Sequence, residues 1–149
     1  MGGVRTVRLT HDYDAPPDRL WRLVTDYSSL ARSCDGLLSF SGLPDGRVRE
    51  GQEIDVRVRL FGRFPPQPYT MRVIACDDDA MTCLSEEKGM GVRRWRHAFA
   101  VTPLGSGSRL SEEIEIDAGP LTALYAAWAR ILYSRRHPRR VEMLERQAV

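Results

Sequence analysis

The chain has 149 residues, 42% hydrophobic and 28% charged, with 22 basic residues against 20 acidic. That length fits one domain, residues 1–149, whose folding buries about two-thirds of the unfolded surface without metal or disulfide staples. The formal net charge of +2 points to no particular partner, no nucleic acid is expected without a larger basic surplus and a recognisable reading element, and the length excludes an enzyme with its own cofactor domain.

Taken in chain order, Val4, Thr6, Arg8 and Thr10 alternate with Arg5, Val7, Leu9 and His11, an opening strand whose second set is the more apolar. Asp14-Ala15-Pro16-Pro17 punctuates the chain, and proline is accepted in a first helical turn because its missing N–H would be unpaired there anyway. A helix is predicted from about Pro17 to Thr25, with Leu20, Leu23, Val24 and Tyr27 near one face, and a second short one over Ser28 to Ser33.

From Leu37 the period becomes two. Leu37 to Ser41 is a short strand ending in the turn Gly42-Leu43-Pro44-Asp45-Gly46. Ile54, Val56, Val58 and Leu60 alternate with Asp55, Arg57 and Arg59, giving one apolar and one wet face. Phe61 to Pro68 holds three prolines and reads as a loop. Tyr69, Met71, Val73 and Ala75 mark the next strand, Asp77 to Asp79 a turn, and Ala80 to Glu86 the returning strand. After the break at Gly89-Met90-Gly91, Trp95, His97, Phe99 and Val101 share one face. A turn over Pro103 to Gly107 leads to Leu110, Glu112, Ile114 and Ile116 on one face of the last strand.

Gly119-Pro120 opens the longest helix, whose Leu121, Leu124, Tyr125, Trp128, Ile131 and Leu132 form an amphipathic stripe. Pro138 removes a helical hydrogen bond and crowds the carbonyl of Ser134, predicting a kink or break. The order is strand, two short helices, six strands, long helix. Hairpin-linked strands imply an antiparallel sheet, and its apolar face calls for the long helix as cover, so the fold class is α+β.

Three stretches resemble the START-like superfamily, which includes Bet v 1-type proteins and polyketide cyclases. They are Asp14-Ala15-Pro16-Pro17-Asp18-Arg19-Leu20-Trp21 with the following Leu23 to Leu30, then Trp95-Arg96-His97-Ala98-Phe99 with Gly107 to Glu112, and the closing helix through Arg135-Arg136-His137. The chain departs from the family's pattern twice. Ser33-Cys34-Asp35-Gly36 stands where a tryptophan–proline pair is frequent, and Pro138 lies in the closing helix. The resemblance implies a helix-grip fold, a curved sheet around the C-terminal helix. It also implies a role among the family's hydrophobic-ligand carriers, aromatase/cyclases and receptors, with fold alone unable to choose.

The informative polar residues sit on apolar faces. If the Pro103–Gly107 turn sets Val101 opposite Leu110, Phe99 faces Glu112 and His97 lies on its diagonal, within reach of long side chains. A buried carboxylate needs a partner, and an imidazole can serve. The pair is a self-satisfied core contact, an anchor for a ligand's hydroxyl or carbonyl, or, if the protein is an enzyme, a catalytic acid/base pair. Tyr69, Met71, Trp95, Phe99 and Trp128 join His97 and Glu112 as candidate cavity-lining residues, each also readable as plain core. Trp21 reads as helix packing against the sheet or a surface edge.

Other chemistries find little footing. His11, His97 and His137 lack zinc spacing, no metal or cofactor motif appears, and no serine has a nucleophile-elbow context. Cys34, Cys76 and Cys83 are an odd number without ligand spacing, which predicts a reducing compartment. No apolar stretch approaches the roughly 20 residues of a membrane span, and the first residues lack a signal-peptide core, so a soluble cytoplasmic protein is expected. Arg130, Arg135, Arg136, Arg139 and Arg140 read as the solvated side of the last helix or as a surface for an acidic partner. Three functions follow: binding of a small hydrophobic molecule such as a lipid, quinone or aromatic polyketide; cyclisation of a polyketide in the same cavity; and protein interaction through the arginine-rich helix, with a homodimer or an acidic protein as partner.

Overall fold

The computed structural model describes residues 3–147. Its elements run β1 (Arg5–Tyr13), α1 (Pro17–Val24), α2 (Tyr27–Ser33), β2 (Leu38–Ser41), β3 (Glu53–Leu60), β4 (Gln67–Asp77), β5 (Thr82–Gly89), β6 (Val92–Leu104), β7 (Gly107–Asp117) and α3 (Thr122–Gln147). The seven strands form one sheet in the order β1-β7-β6-β5-β4-β3-β2, every neighbouring pair antiparallel. This is the helix-grip architecture expected from the sequence.

Local chemistry explains the short helices. Pro17 occupies the first turn of α1 and Asp18 lies beside it, where the helix dipole favours an anion. Asp26 caps α2, its carboxylate accepting from the Ser29 amide at 2.9 Å. Trp21 is buried, and its Nε1 donates to Asp78 across 2.8 Å, tying α1 to the β4–β5 turn. Where β1 leads into α1 the chain passes so close to β7 that a Cβ on Gly107 would lie 2.3 Å from the Tyr13 carbonyl oxygen. Only glycine fits there.

The hairpin register follows the expected pattern. Val101 pairs with Leu110, Phe99 with Glu112 and His97 with Ile114. Arg57 and Arg59 lie on the wet face of β3, as its alternation requires.

Several expectations are corrected. The loop expected over 61–68 ends at Pro66, because β4 begins at Gln67 and Pro68 pairs with Arg57. A register shift between Val73 and Ala75 turns Ala75 outward, so the apolar face of β4 ends at Val73. Gly119–Leu121 is a separate 3-10 turn, with α3 starting at Thr122. Pro138 does not break α3. Pro138 and Ser134 are both exposed, so water can satisfy the carbonyl that proline leaves unpaired, while Tyr133, Arg136, Arg140 and Leu144 hold the helix by its buried side.

The packing stripe of α3 also differs. The buried residues are Thr122, Ala126, Ala129, Leu132, Tyr133, Arg136, Arg140 and Leu144, whereas Leu121, Leu124 and Ile131 are exposed. Small alanines let the helix approach β1 and β7 closely, so Val7, Ile114 and Ile116 pack against Ala126, Ala129 and Tyr133. The arginine cluster divides accordingly: Arg136 and Arg140 are buried, Arg130 and Arg135 exposed, and Arg139 is intermediate. No helix among the described residues is long and apolar enough to cross a membrane.

Candidate functional site

Because α3 closes on β1 and β7, the inner faces of β3, β4 and β5 are left looking across open space. The result is a cavity of about 440 Å³, within the usual range for small-molecule sites. Val58 of β3, Tyr69, Met71 and Val73 of β4, and Cys83, Ser85 and Glu87 of β5 form one wall. Trp95, His97 and Phe99 of β6 and Leu110 and Glu112 of β7 continue it, with Leu30 of α2 and Trp128, Leu132 and Tyr133 of α3 opposite. All seven sequence-derived candidates, Tyr69, Met71, Trp95, His97, Phe99, Glu112 and Trp128, therefore face the same space.

The mouth lies between the β3–β4 turn and the start of α3. Leu121, Leu124 and Phe61 line the cavity and remain exposed. Phe61 meets the Trp128 ring at 5.7 Å in a T-shaped contact, and its backbone is left-handed (φ 55), a conformation that bulky residues rarely adopt.

The polar end of the cavity centres on Glu112, whose side chain is 1% exposed. His97 Nε2 stands 2.8 Å from Glu112 Oε2, and Arg140 Nη1 stands 3.7 Å from Oε1. The second contact is an ion pair too long for a hydrogen bond. Burial pushes the Glu112 pKa up, but the His97 hydrogen bond and the charges of Arg140, His97 and Arg136 outweigh it, lowering the pKa to about 2. With Glu112 ionised, Nε2 must carry the proton of that hydrogen bond. Nδ1 is thereby left for other partners.

Aromatic rings fix the imidazole. His97 lies 5.2 Å from Phe99 and 4.9 Å from Tyr133, and Trp95 Nε1 donates to the Tyr133 hydroxyl at 3.2 Å. Burial raises the Tyr133 pKa strongly, so this phenol stays protonated. Tyr69 donates to Glu87 Oε1 at 2.9 Å, and its pKa is likewise raised, first by burial and then by Glu87.

Arg136 crosses the Tyr133 ring at 4.3 Å. Burial pulls its pKa down, but the nearby Cys34, Tyr133, Glu112 and Glu87 more than offset this and raise it. Just outside the cavity, His11 and His137 stack at 4.9 Å, with Tyr13 edge-on to His137 at 4.6 Å.

Sequence reasoning did not single out Tyr133 or Glu87, and it read Arg136 and Arg140 as part of a solvated arginine face, whereas both are buried and line the cavity. The helical three showed a usable signal: with Ala126, Ala129 and Leu144 they recur every three or four residues. Glu87 shares the inward alternation of Cys83 and Ser85 on β5. Among the described residues no group of three or more His, Cys, Asp or Glu could hold a metal ion, and Cys34, Cys76 and Cys83 are free thiols.

A family model described as polyketide cyclase / dehydrase and lipid transport matches residues 4–148. No curated protein matches the chain. Among solved structures, protein MLL2253 from Mesorhizobium loti is 17% identical with a TM-score of 0.72, covering 95% of this chain and 98% of that one. Protein CV1439 from Chromobacterium violaceum is 21% identical with a TM-score of 0.67, over 88% of this chain and 94% of that one. Ara h 8.0201 is 13% identical with a TM-score of 0.68, over 91% and 97%. At these identities the structures speak to the fold, and the family model speaks to descent. A seven-stranded sheet gripping its last helix around an apolar cavity, matched by one family model over nearly its whole length, belongs to the polyketide cyclase/dehydrase and lipid transport family of the START-like superfamily.

Proposed function

We propose that this protein binds a small, largely apolar molecule in the cavity between the sheet and α3, the apolar wall supplying affinity and the His97–Glu112 pair orientation. One observation carries the reading: a cavity of about 440 Å³ whose mainly apolar wall encloses a buried, charge-assisted imidazole–carboxylate contact. Family membership supports hydrophobic-ligand binding at the same coarse level.

The test is a fluorescence titration with the neutral probe N-phenyl-1-naphthylamine. Saturable binding at one site per chain is expected, abolished in Ser85→Phe, whose ring would occupy the cavity. Binding that never saturates, or that survives this substitution in a folded protein, overturns the reading.

A second reading, cyclisation of a poly-β-ketone, is favoured by one feature of the same site. Glu112 holds the Nε2–H of His97, the arrangement that frees Nδ1 to move a proton on a bound guest. Pre-organisation of a flexible chain in the cavity would supply much of the rate. On this reading His97→Gln abolishes turnover of a poly-β-ketone while guest binding remains measurable, and unchanged turnover rejects it. Protein interaction through the arginine-rich helix has weaker support, since Arg136 and Arg140 are buried.

A further inference from the structure

The buried charges at the polar end of the cavity do not cancel in pairs. Glu112 is answered twice, by His97 at 2.8 Å and by Arg140 at 3.7 Å. Glu87 accepts the hydroxyl of Tyr69 and acts on Arg136 only through space. Arg136 is 6% exposed and lines the cavity, yet its Nε has no hydrogen-bond partner among the described residues. Buried polar groups are ordinarily satisfied, and a guanidinium cannot escape the cost by losing its proton.

Its surroundings suit an incoming anion. The Tyr133 ring covers one face of the guanidinium at 4.3 Å, which leaves the in-plane N–H edge, the part that grips a carboxylate with two parallel hydrogen bonds. Tyr133 also touches His97, so Arg136 and the imidazole belong to one end of the cavity.

We propose that the guest is an apolar molecule ending in a carboxylate, and that Arg136 is the residue that receives this carboxylate. The inference rests on the cavity-binding reading above and names the ligand class for it. A methyl ester of the same acid is more hydrophobic and avoids the cost of dehydrating a charge, so a purely apolar cavity would prefer the ester. A cavity with a waiting guanidinium prefers the acid.

The experiment displaces N-phenyl-1-naphthylamine at pH 8 with two acid–ester pairs: dodecanoate and methyl dodecanoate, and 2-naphthoate and methyl 2-naphthoate. At least one acid is expected to bind about tenfold or more tighter than its ester, and the responding pair distinguishes a chain-like from an aromatic guest. Arg136→Met collapses the acid-to-ester ratio to about one, while the exposed neighbour variant Arg135→Met keeps it. Saturable dye binding with no acid preference in either pair overturns the acid proposal and leaves the cavity reading standing. Failure of the dye to bind at all overturns both. An acid preference that persists in Arg136→Met assigns the carboxylate elsewhere and overturns the role of Arg136. The wild-type comparison decides the ligand class even if that variant does not fold.

Discussion

Against β1 and β7, α3 presents Ala126 and Ala129, and Val7, Ile114 and Ile116 close on them until each is at most 1% exposed. Against β3, β4 and β5 the same helix presents Trp128 and Leu132 across a cavity, and Tyr69, Met71 and Ser85 line the space between. One helix thus meets one sheet in two ways, and residue size on the helix separates them. Alanines bring the axis down onto one half, the sheet's curvature carries the other half away, and the void forms where the helix cannot follow.

The His97–Glu112–Arg140 cluster sits on the seam between these halves and gives the largest expected effect. Glu112→Gln should cost about 3–5 kcal/mol of stability, because it leaves Arg140 buried without its counter-charge. Urea denaturation would read this, and a midpoint shift below about 1 kcal/mol would show that the cluster is not coupled to folding. Next, Ile114→Ala in the filled half should cost about 2–5 kcal/mol, the range for a buried aliphatic removed from close packing. Leu124→Ala at the cavity mouth should stay within about 0.5 kcal/mol, since its side chain is largely exposed. Equal losses at these two positions would erase the distinction between the halves.

Acid should loosen the molecule in two stages. His11 and His137 have lowered pKa values, chiefly through burial, with Glu112, Arg140 and Asp12 acting on one or both of them. The folded state therefore favours their neutral forms. Their contribution is complete above about pH 6.5, the unfolded value, and is lost as pH falls through the lowered folded values. Glu112, with its pKa lowered to about 2 against an ordinary 4.5, contributes fully above 4.5 and loses that contribution as pH falls toward 2. Thermal melts from pH 8 to 3 should show Tm level above about pH 6.5 and falling below it, and His11→Gln with His137→Gln should flatten only the upper stage of the fall. A Tm that rises on acidification would reverse the assignment.

How much of this was legible depended on whether the governing contacts were local. The pairing of His97 and Glu112 followed from the short turn between β6 and β7, because counting outward from a tight hairpin fixes every partner. The face of β4 could be read only as far as Val73, since a single-residue irregularity carries no hydropathy signature. The face of α3 was misread because most of its large apolar residues line a cavity and its mouth, while beside Thr122, Leu132 and Leu144 the buried face carries two alanines, a tyrosine and two arginines. Hydropathy ranks such residues low, yet close approach requires the first and a polar cavity end uses the last. Pro138 misled for a related reason, since its cost depends on which side of the helix it occupies.

The pairing of β1 with β7 has a consequence for biosynthesis. Arg5 bonds opposite Ile116, so the first strand made has no native partner until the last strand has left the ribosome. At about 5–20 residues per second, that wait lasts on the order of ten seconds. During it, Arg5 and Arg8 discourage the strand from pairing with other nascent chains, as charges on a free sheet edge do. In the finished sheet β1 is still an edge, with Arg8 standing 3.5 Å from Glu113, so the charges that keep the waiting strand single also keep the completed edge single.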